Sequence, residues 1–377
     1  MKYASSSFTG FLLSFQVLVL LSLFSSSTCL NTPIIACASA IELERAFSFF
    51  CQPGDCVLEL GSRFADSSHT LCTATSPGGS VCLVDIVRSD AKSGRNNQRN
   101  VDAFRNMERV TMIELSSLED WKDVIFAKNQ QSPSNFDIIA IDLGHMIGND
   151  LYLSTLTLAN ELLSVTSPRV VIIKSQSLSS LSRRLIPAQH VLEGLVELDT
   201  NGQHDTKQPN EPIILASVGV EEYRRLIPKT VKAGDVVLEV GCHFGRTTHL
   251  LNQATSAFSS GAGYCVGVDI GPKIIKNAQS QYPDILFAVE DAWKTFDLLK
   301  LRQDKEMGCM IGYDVVYIDI GGLSGAHGTL EALSLLEALT NALKPRCIVI
   351  KSLCMKRLAS RLKPFQSIWA KINSDLQ

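Results

Sequence analysis

The segment best suited to chemistry is a loop that follows an apolar run in the second half of the chain. It reads Glu239-Val240-Gly241-Cys242-His243-Phe244-Gly245-Arg246-Thr247. An acid two residues before a glycine turn that opens a helix suits a ligand with a positive amino group. Gly241 allows close approach of the backbone, and Gly245 permits tight packing of strand against helix. The pattern predicts a ligand-binding loop at residues 239–245.

Two further acids follow the next two apolar runs. Asp269 closes the run Tyr264–Asp269, where a carboxylate can bind both hydroxyls of a ribose. Asp291 comes just after Leu286–Val289 and can accept a hydrogen bond from an adenine amino group. Because the carboxyl ends of parallel strands meet at one edge of a sheet, we expect both acids to lie near Glu239. No group of histidines and cysteines has metal-ligand spacing, so we predict no metal site.

Asp319 and Lys351 end the fourth and fifth apolar runs, so both are expected to point into the same cleft. A lysine beside an aspartate can orient a hydroxyl, and it can take the proton if burial lowers its pKa. Asp142 and Lys174 repeat the pair in the first half. An ion pair between adjacent strands explains the pattern equally well. A catalytic and a structural interpretation both stay open.

These residues need a framework of strands and helices. Helical segments at 273–281 and 329–343 alternate with apolar, β-branched runs at Val236–Val240, Tyr264–Asp269, Leu286–Val289, Val315–Asp319 and Cys347–Ile350. Runs that are apolar on both faces indicate strands covered by helices on both sides, and hence a parallel sheet. The alternation predicts an α/β, Rossmann-like fold that binds ligands at the carboxyl ends of its strands.

The sequence pattern that predicts this framework occurs twice in the chain. Blocks beginning at Pro53, Leu83, Phe136 and Pro168 recur in the same order from Ala233, Gly267, Tyr313 and Pro345. A repeat this long is a whole domain. We therefore expect two tandem Rossmann-like domains, each a mostly parallel sheet flanked by helices, at 41–219 and 220–377, packed against each other.

The two predicted domains differ in two respects. In the first, Arg63 and Ala65 stand where the second has His243 and Gly245, which predicts weak or no ligand binding there. The first also has candidate strands at 195–198 and 213–218, a predicted hairpin. The second has no counterpart to this hairpin before Gln377, either because the strands are missing or because the gene is cut short.

The acids and glycines of the second half resemble the class I S-adenosylmethionine-dependent methyltransferases. The resemblance assigns residues 239–245 to the methionine part of S-adenosylmethionine, Asp269 to its ribose and Asp291 to its adenine. His243 departs from the family, which usually has glycine there. The Asp319–Lys351 pair is also similar to that of the FtsJ-type 2′-O-ribose RNA methyltransferases. These likenesses imply methyl transfer to a hydroxyl of RNA or of a small molecule.

Other functions fit the residues less well. The nicotinamide fingerprint G-x-G-x-x-G is absent, and a phosphate-binding P-loop is excluded because Arg246 replaces its lysine. A methyltransferase fold that binds without turnover is the main alternative. A net charge of −3 argues against a strongly basic nucleic-acid binder, although the basic stretch 344–371 suits either phosphate tracking or a solvated helix face.

Composition and the amino terminus bear on the compartment. Apolar residues make up 45% of the chain and charged residues 19%, as in globular proteins. Scattered cysteines in apolar runs suggest reduced core thiols. Residues 1–40 lack acids and contain a short apolar run, which predicts a removable targeting segment and no stable membrane span in the mature protein. The segment suits a secretory signal, and its serines also resemble a plastid transit peptide; the thiol-rich body of the chain favours the plastid.

Overall fold

The computed structural model describes residues 32–61, 66–86, 104, 107, 109–115, 121, 136–143, 152–198, 211–256, 263–302, 312–323 and 328–375. The chain forms two compact units. The first comprises residues 1–180 together with 361–377, and the second comprises residues 181–360. Each unit is an α/β structure built on a seven-stranded sheet.

The first sheet has every strand pair parallel. Its strands are β1 (Ile34–Cys37), β2 (Cys56–Leu60), β3 (Ser80–Ile86), β4 (Val110–Leu115), β5 (Ile138–Ile141), β6 (Val170–Lys174) and β14 (Leu362–Pro364). They lie in the order β14-β1-β6-β5-β2-β3-β4. The helices that begin in this unit are α1 (Ala40–Phe50), α2 (Asp66–Thr75), α3 (Tyr152–Val165), α4 (Gln176–Arg184) and α13 (Phe365–Asp375).

The second sheet is also wholly parallel. Its strands are β7 (Leu185–Pro187), β8 (Ile213–Ser217), β9 (Val236–Val240), β10 (Tyr264–Asp269), β11 (Leu286–Val289), β12 (Val315–Ile318) and β13 (Cys347–Lys351). They lie in the order β11-β10-β9-β12-β13-β8-β7. Its helices are α5 (Ala188–Leu192), α6 (Gly219–Arg225), α7 (Ile227–Thr230), α8 (Arg246–Thr255), α9 (Pro272–Gln281), α10 (Thr295–Lys300), α11 (Gly328–Leu343) and α12 (Leu353–Arg361).

The order of the second sheet creates a switch point beside β9. After β9 the chain adds β10 and β11 on one side, and then returns to add β12 and β13 on the other. Ligands of open α/β sheets bind in the crevice outside the carboxyl ends of the strands at such a point. One face carries a core that includes Val237, Tyr317 and Val349, packed with Tyr223 and Leu251 from the helices. Toward the carboxyl ends of the strands, the same face of the sheet carries Glu239 and Asp319.

The α/β class and two Rossmann-like sheets are confirmed, with wholly parallel pairing instead of mostly parallel pairing. The five strands predicted in the second half all form, with ends that differ by at most one residue from those expected. Both predicted helices form as well, at Pro272–Gln281 and Gly328–Leu343. Apolar periodicity located these elements because the strands are buried on both faces.

The predicted hairpin of the first domain was wrong for both of its strands. Ile213–Ser217 does not end the first domain in a hairpin with 195–198: it pairs in parallel with β7 and β13 of the second sheet, and 195–198 forms no strand. Consequently the second sheet has seven strands, and the first unit ends at Ser180, not at Gly219, and also includes residues 361–377. The partner of β8 lies at Cys347–Lys351, far along the chain, so local sequence carries no record of the pairing.

The amino-terminal prediction needs one correction. Residues 34–37, expected to belong to a removable segment, form the fully buried strand β1 between β6 and β14. The apolar run that suggested a targeting signal, Phe11–Phe24, lies outside the described residues. Among the described residues no helix is long and apolar enough to cross a membrane.

Candidate functional site

The loop after β9 is shaped by two glycines with left-handed backbones. Gly241 has φ +81°, and a Cβ there would lie 2.1 Å from the carbonyl oxygen of Asp319. Gly245 has φ +78°, and a Cβ there would lie 2.6 Å from the ring of Phe287. Both distances are far below van der Waals contact, so only glycine fits either position. The loop can therefore run close against β12 and β11, and α8 begins directly after it.

His243 occupies the loop position where the resemblance expects glycine. Its φ of +49° is left-handed, a conformation that histidine adopts more readily than most side chains. Its backbone N–H donates to Oδ2 of Asp269 over 3.2 Å. The ring lies against that of Phe244, with centroids 3.9 Å apart. The loop thus keeps a glycine-like path without a glycine, at the cost of local strain.

Cys242 contributes backbone and not side chain to this loop. Its N–H donates to the carbonyl of Val268 over 3.0 Å. Its side chain is 4% exposed and packs in a small core with Ile275, Ala278 and Phe287. Burial raises the pKa of the thiol well above its ordinary value. The sequence assigned Cys242 to the ligand, whereas the structure turns its thiol inward.

Glu239 is a buried acid at the switch point. It is 2% exposed, and its Oε2 accepts a hydrogen bond from the hydroxyl of Thr248 on α8 over 2.5 Å. Loss of hydration raises the pKa of the carboxyl to about 8, and Asp319 adds to the rise. Arg224 and Lys351 oppose it through their positive charges. A cation brought to this carboxyl would be bound strongly, because water screens it poorly there.

Asp269 ends β10 with both carboxylate oxygens held by backbone amides. Oδ2 accepts from the N–H of His243 over 3.2 Å, and Oδ1 accepts from the N–H of Gly271 over 2.9 Å. The side chain remains partly exposed. Each oxygen keeps a further lone pair, so the carboxylate is oriented and still able to accept from two neighbouring hydroxyls.

Asp291 lies one strand further out, after β11. Its Oδ1 accepts a hydrogen bond from the N–H of Trp293 over 3.0 Å. The strand order β11-β10-β9 brings Asp291, Asp269 and the loop after β9 to successive strand ends at one edge of the sheet. Exposed apolar side chains stand at the same edge: Phe244, Ile270, Val289, Trp293 and Phe296. The edge therefore combines acceptors with apolar surface, as a nucleoside requires.

Asp319 and Lys351 form an ion pair at the ends of β12 and β13. Nζ of Lys351 lies 2.5 Å from Oδ1 and 2.6 Å from Oδ2 of Asp319. The two side chains keep 27% and 25% of their exposure, so both can reach a ligand in the crevice. Register places Tyr317, two residues before Asp319, directly beside Glu239. The pair and the buried acid thus lie on one face of the sheet.

Sequence reasoning missed three residues around Glu239. Thr248 donates to its carboxylate, and Nε of Arg224 donates to the neighbouring hydroxyl of Thr247 over 2.9 Å. Tyr223 is fully buried, and its hydroxyl has no hydrogen-bond partner among the described residues. A signal for Thr248 was present, since both repeats place a hydroxyl nine residues after the acid. Arg224 and Tyr223 lie on α6 and leave no such signal.

The first unit has the same buried acid with a hydroxyl donor and the same lysine–aspartate pair as the second unit. Glu59 accepts from Ser68 over 2.7 Å, and Lys174 pairs with Asp142 at 2.7 Å. Burial raises the pKa of Glu59 to about 7. The loop with Arg63 and Ala65, on which the expected loss of binding rests, lies outside the described residues.

Three cations of the basic stretch 344–371 form ion pairs within the protein. Arg346 donates two hydrogen bonds to Asp235, and Lys356 pairs with Glu222. Together with Lys351, these cations serve ion pairs and not an open surface for phosphates. No cluster of candidate metal ligands occurs among the residues that the structure describes.

Neither a protein-family model nor a curated protein matches the chain. Matching solved structures include a TehB-like S-adenosylmethionine-dependent methyltransferase from Corynebacterium glutamicum, at 22% identity and TM-score 0.24 over 34% of this chain. Fibrillarin from Aeropyrum pernix, with bound S-adenosyl-L-methionine, matches at 20% identity and TM-score 0.22 over 28%. This chain spans 60% and 42% of those two proteins.

A third structure aligns over more of the chain. Phosphoethanolamine N-methyltransferase 2 from Haemonchus contortus, in complex with S-adenosylhomocysteine, matches at 12% identity and TM-score 0.24, over 89% of this chain and 83% of that one. These likenesses are too weak to carry an argument about function. The function is therefore inferred from the geometry of the second unit.

Proposed function

We propose that the second unit binds S-adenosylmethionine and transfers its methyl group to a hydroxyl. The observation that carries the proposal is the shared edge at which Glu239, Asp269, Asp319 and Lys351 meet beside two glycines whose Cβ atoms would collide with backbone or ring. This edge is at the switch point of a wholly parallel sheet, where ligands of such folds bind.

The residues fit the chemical groups of S-adenosylmethionine. Glu239 suits the ammonium group, because a buried carboxylate gains most from a cation. Asp269 suits the two ribose hydroxyls, since both its oxygens are held in place by backbone amides. Asp291 and the exposed Ile270 suit the adenine ring. The left-handed His243 supports the fit because it preserves the loop path without the usual glycine.

When bound, S-adenosylmethionine supplies a methyl carbon activated by its sulfonium. The chain contributes position and proton handling. Lys351 would donate a hydrogen bond to the acceptor oxygen, and Asp319 would accept the hydroxyl proton as the methyl carbon passes from the sulfonium sulfur, whose bond to it breaks, to that oxygen. Because Asp319 and Lys351 already hold each other at 2.5–2.6 Å, little reorganisation is needed at the moment of reaction.

Titration calorimetry on the full chain tests ligand binding. Asp269→Ala is expected to weaken S-adenosylmethionine binding at least tenfold, because it removes the acceptor for the ribose hydroxyls. Asp85→Ala is the matched control, since strand register places Asp85 of β3 in the first sheet where Asp269 of β10 lies in the second. A folded protein that gives no heat with S-adenosylmethionine, or equal losses in the two variants, would contradict the proposal.

Transfer itself is tested by Lys351→Ala with Lys174→Ala as its control. Lys351→Ala should abolish methylation while leaving the affinity for S-adenosylmethionine within threefold. Acceptors are offered in two classes, RNA and small hydroxylated molecules. Methylation of RNA that falls steeply with added salt would assign a nucleic-acid acceptor.

A second function, binding without turnover, is favoured by one observation. The Lys–Asp pair occurs in both units, at 2.7 Å in the first and 2.5 Å in the second. A pair retained twice suits a structural role. Tight binding of S-adenosylmethionine with no methyl transfer to either acceptor class would select this function over catalysis.

A further inference from the structure

A cation lies beside the buried acid of the second unit. Nε of Arg224 on α6 donates to Oγ1 of Thr247 over 2.9 Å, and the next residue, Thr248, donates to Glu239. Thr247 and Thr248 are both buried, in the first turn of α8. The charge of Arg224 also opposes the rise in the pKa of the Glu239 carboxyl. The guanidinium of Arg224 therefore lies close to Glu239.

The guanidinium of Arg224 keeps donors for a ligand. Its Nε–H is the only guanidinium donor with a hydrogen-bond partner among the residues that the structure describes. The side chain is partly exposed, so the N–H groups of its terminal nitrogens remain available. The fork of an arginine matches the two oxygens of a carboxylate, which it can bind through two parallel hydrogen bonds. Arg224 thus suits a carboxylate that is brought next to Glu239.

An α-amino acid places its two charges side by side. Its ammonium and its carboxylate are bonded to the same carbon, so a ligand whose ammonium reaches Glu239 brings its own carboxylate next to that acid. Two carboxylates this close repel each other strongly where water is excluded, and a cation beside them offsets the repulsion. Arg224 lies where this cation is needed, because consecutive threonines link it to Glu239.

The first unit has the same local framework at this place. Strand β1 pairs with β6 as β8 pairs with β13, and a helix follows β1 and β8 alike. At the start of α1, Oε2 of Glu42 accepts from the N–H of Ala38 over 2.7 Å. At the start of α6, Oε2 of Glu222 accepts from the N–H of Val218 over 2.5 Å. These matched contacts align the two helices residue by residue.

The charge that follows the matched glutamates is reversed between the units. Two residues further on, the first unit has Glu44 and the second has Arg224. Both side chains are partly exposed. The next residue is an exposed arginine in both units, Arg45 in the first and Arg225 in the second. Of these two neighbouring positions, only the one at Arg224 changes sign.

We propose that Arg224 binds the carboxylate of an α-amino-acid ligand and thereby restricts such ligands to the second unit. The inference rests on the proposed function, in which S-adenosylmethionine brings its ammonium to Glu239. Glu44, at the corresponding position of the first unit, repels the carboxylate that Arg224 attracts. One bound S-adenosylmethionine per chain is the consequence.

Calorimetry on the full chain with two ligands tests the role of Arg224. S-Adenosylmethionine and its decarboxylated form share the nucleoside, the sulfonium and the amino group, and they differ in the carboxylate alone. Arg224→Gln is expected to weaken binding of S-adenosylmethionine about tenfold or more, and binding of the decarboxylated form less than about threefold. Arg225→Gln is the matched control and should leave both affinities within about threefold.

Arg224→Glu gives the second unit the charge of the first. It should weaken binding of S-adenosylmethionine more than Arg224→Gln does, and it should bind the decarboxylated form at least as tightly as the natural protein, because that ligand carries positive charge only. Thermal unfolding checks that the variants are folded. If Arg224→Gln does not fold, Arg224→Lys carries the test: it keeps the charge without the fork and should weaken binding of S-adenosylmethionine alone.

The outcomes separate this inference from the proposed function. If the natural protein binds S-adenosylmethionine and Arg224→Gln loses both ligands equally, the role of Arg224 is overturned and the proposed function stands. If the natural protein binds neither ligand, both are overturned. Two molecules of S-adenosylmethionine bound per chain would overturn the restriction to the second unit.

Discussion

The hydroxyl of Thr248 lies 2.5 Å from Oε2 of Glu239 and donates its hydrogen to a carboxyl that is 2% exposed. The bond joins the first turns of α8 to the centre of the sheet. Ser68 and Glu59 form the same contact in the first unit at 2.7 Å. The acid at the switch point is therefore held by its own unit before any ligand arrives.

Removal of the Thr248 hydroxyl is expected to destabilise the second unit. In Thr248→Val, Glu239 loses its hydrogen-bond donor while it stays buried, which costs about 1–3 kcal/mol. Thr248→Ser keeps the donor and should lose less than about 1 kcal/mol. Urea unfolding of the two variants measures the difference. Equal losses would mean that the methyl group, and not the hydroxyl, supports the structure.

Stability should fall as the pH rises because of Glu239. Burial raises its pKa from 4.5 to about 8, so the native state holds the proton more tightly than the unfolded chain. The resulting stability is fully present below pH 4.5 and is lost as the pH rises through 8. Between pH 6 and pH 9 the free energy of unfolding is expected to drop less in Glu239→Gln than in the natural protein. The pH dependence of stability that remains in Glu239→Gln includes a contribution from Glu59, whose pKa is raised to about 7.

Binding of the sulfonium ligand should strengthen over the same pH range. The protonated carboxyl of Glu239 offers no charge to an ammonium group, and the ionised one does. Its charged neighbours, Arg224, Lys351 and Asp319, do not bring its pKa back to the ordinary value. Calorimetry is expected to show tighter binding at pH 9 than at pH 6 in the natural protein. Parallel pH profiles in the protein and in Glu239→Gln would rule out this role, because any slope they shared would belong to the ligand.

Two of the three loop positions with left-handed backbones, Gly245 and His243, should respond to substitution to very different extents. Gly245→Ala places a Cβ 2.6 Å from the Phe287 ring, so a loss of more than about 2 kcal/mol and of ligand binding is expected. His243→Gly relieves a left-handed backbone and should change stability by less than about 1 kcal/mol. Thermal unfolding measures both. A stable Gly245→Ala protein with full binding would show that the loop follows another path.

Two buried tyrosines in contact offer a matched test of hydrogen bonding. The rings of Tyr223 and Tyr317 meet edge to face, with centroids 5.0 Å apart. The hydroxyl of Tyr317 bonds Thr230 over 2.7 Å, whereas that of Tyr223 has no partner among the described residues. Tyr317→Phe should cost about 1 kcal/mol, and Tyr223→Phe should be neutral or stabilising. Denaturant unfolding of the two variants measures the change in the free energy of unfolding. A similar cost for Tyr223→Phe would indicate that its hydroxyl is hydrogen-bonded in solution.

The sequence determined five strands of the second sheet and their ends to within one residue. Strands buried on both faces leave unbroken apolar runs, and the acid or lysine that ends each run marks the carboxyl edge of the sheet, as at Asp269 and Lys351. The recurring blocks predicted two Rossmann-like sheets, and the structure contains two. These features depend on neighbours in the chain, so periodicity is enough to read them.

Only the tertiary structure decided which strand joins which sheet and which side chain faces the site. The sequence of Ile213–Ser217 predicts a strand but not its pairing with Cys347–Lys351. Likewise, the sequence of Leu362–Pro364 does not predict its pairing with Ile34–Cys37. Cys242 turns into a core, while Thr248 and Tyr223 approach Glu239 from helices. Pairing and packing depend on residues far apart in sequence, whose proximity is a property of the folded chain and not of any local pattern.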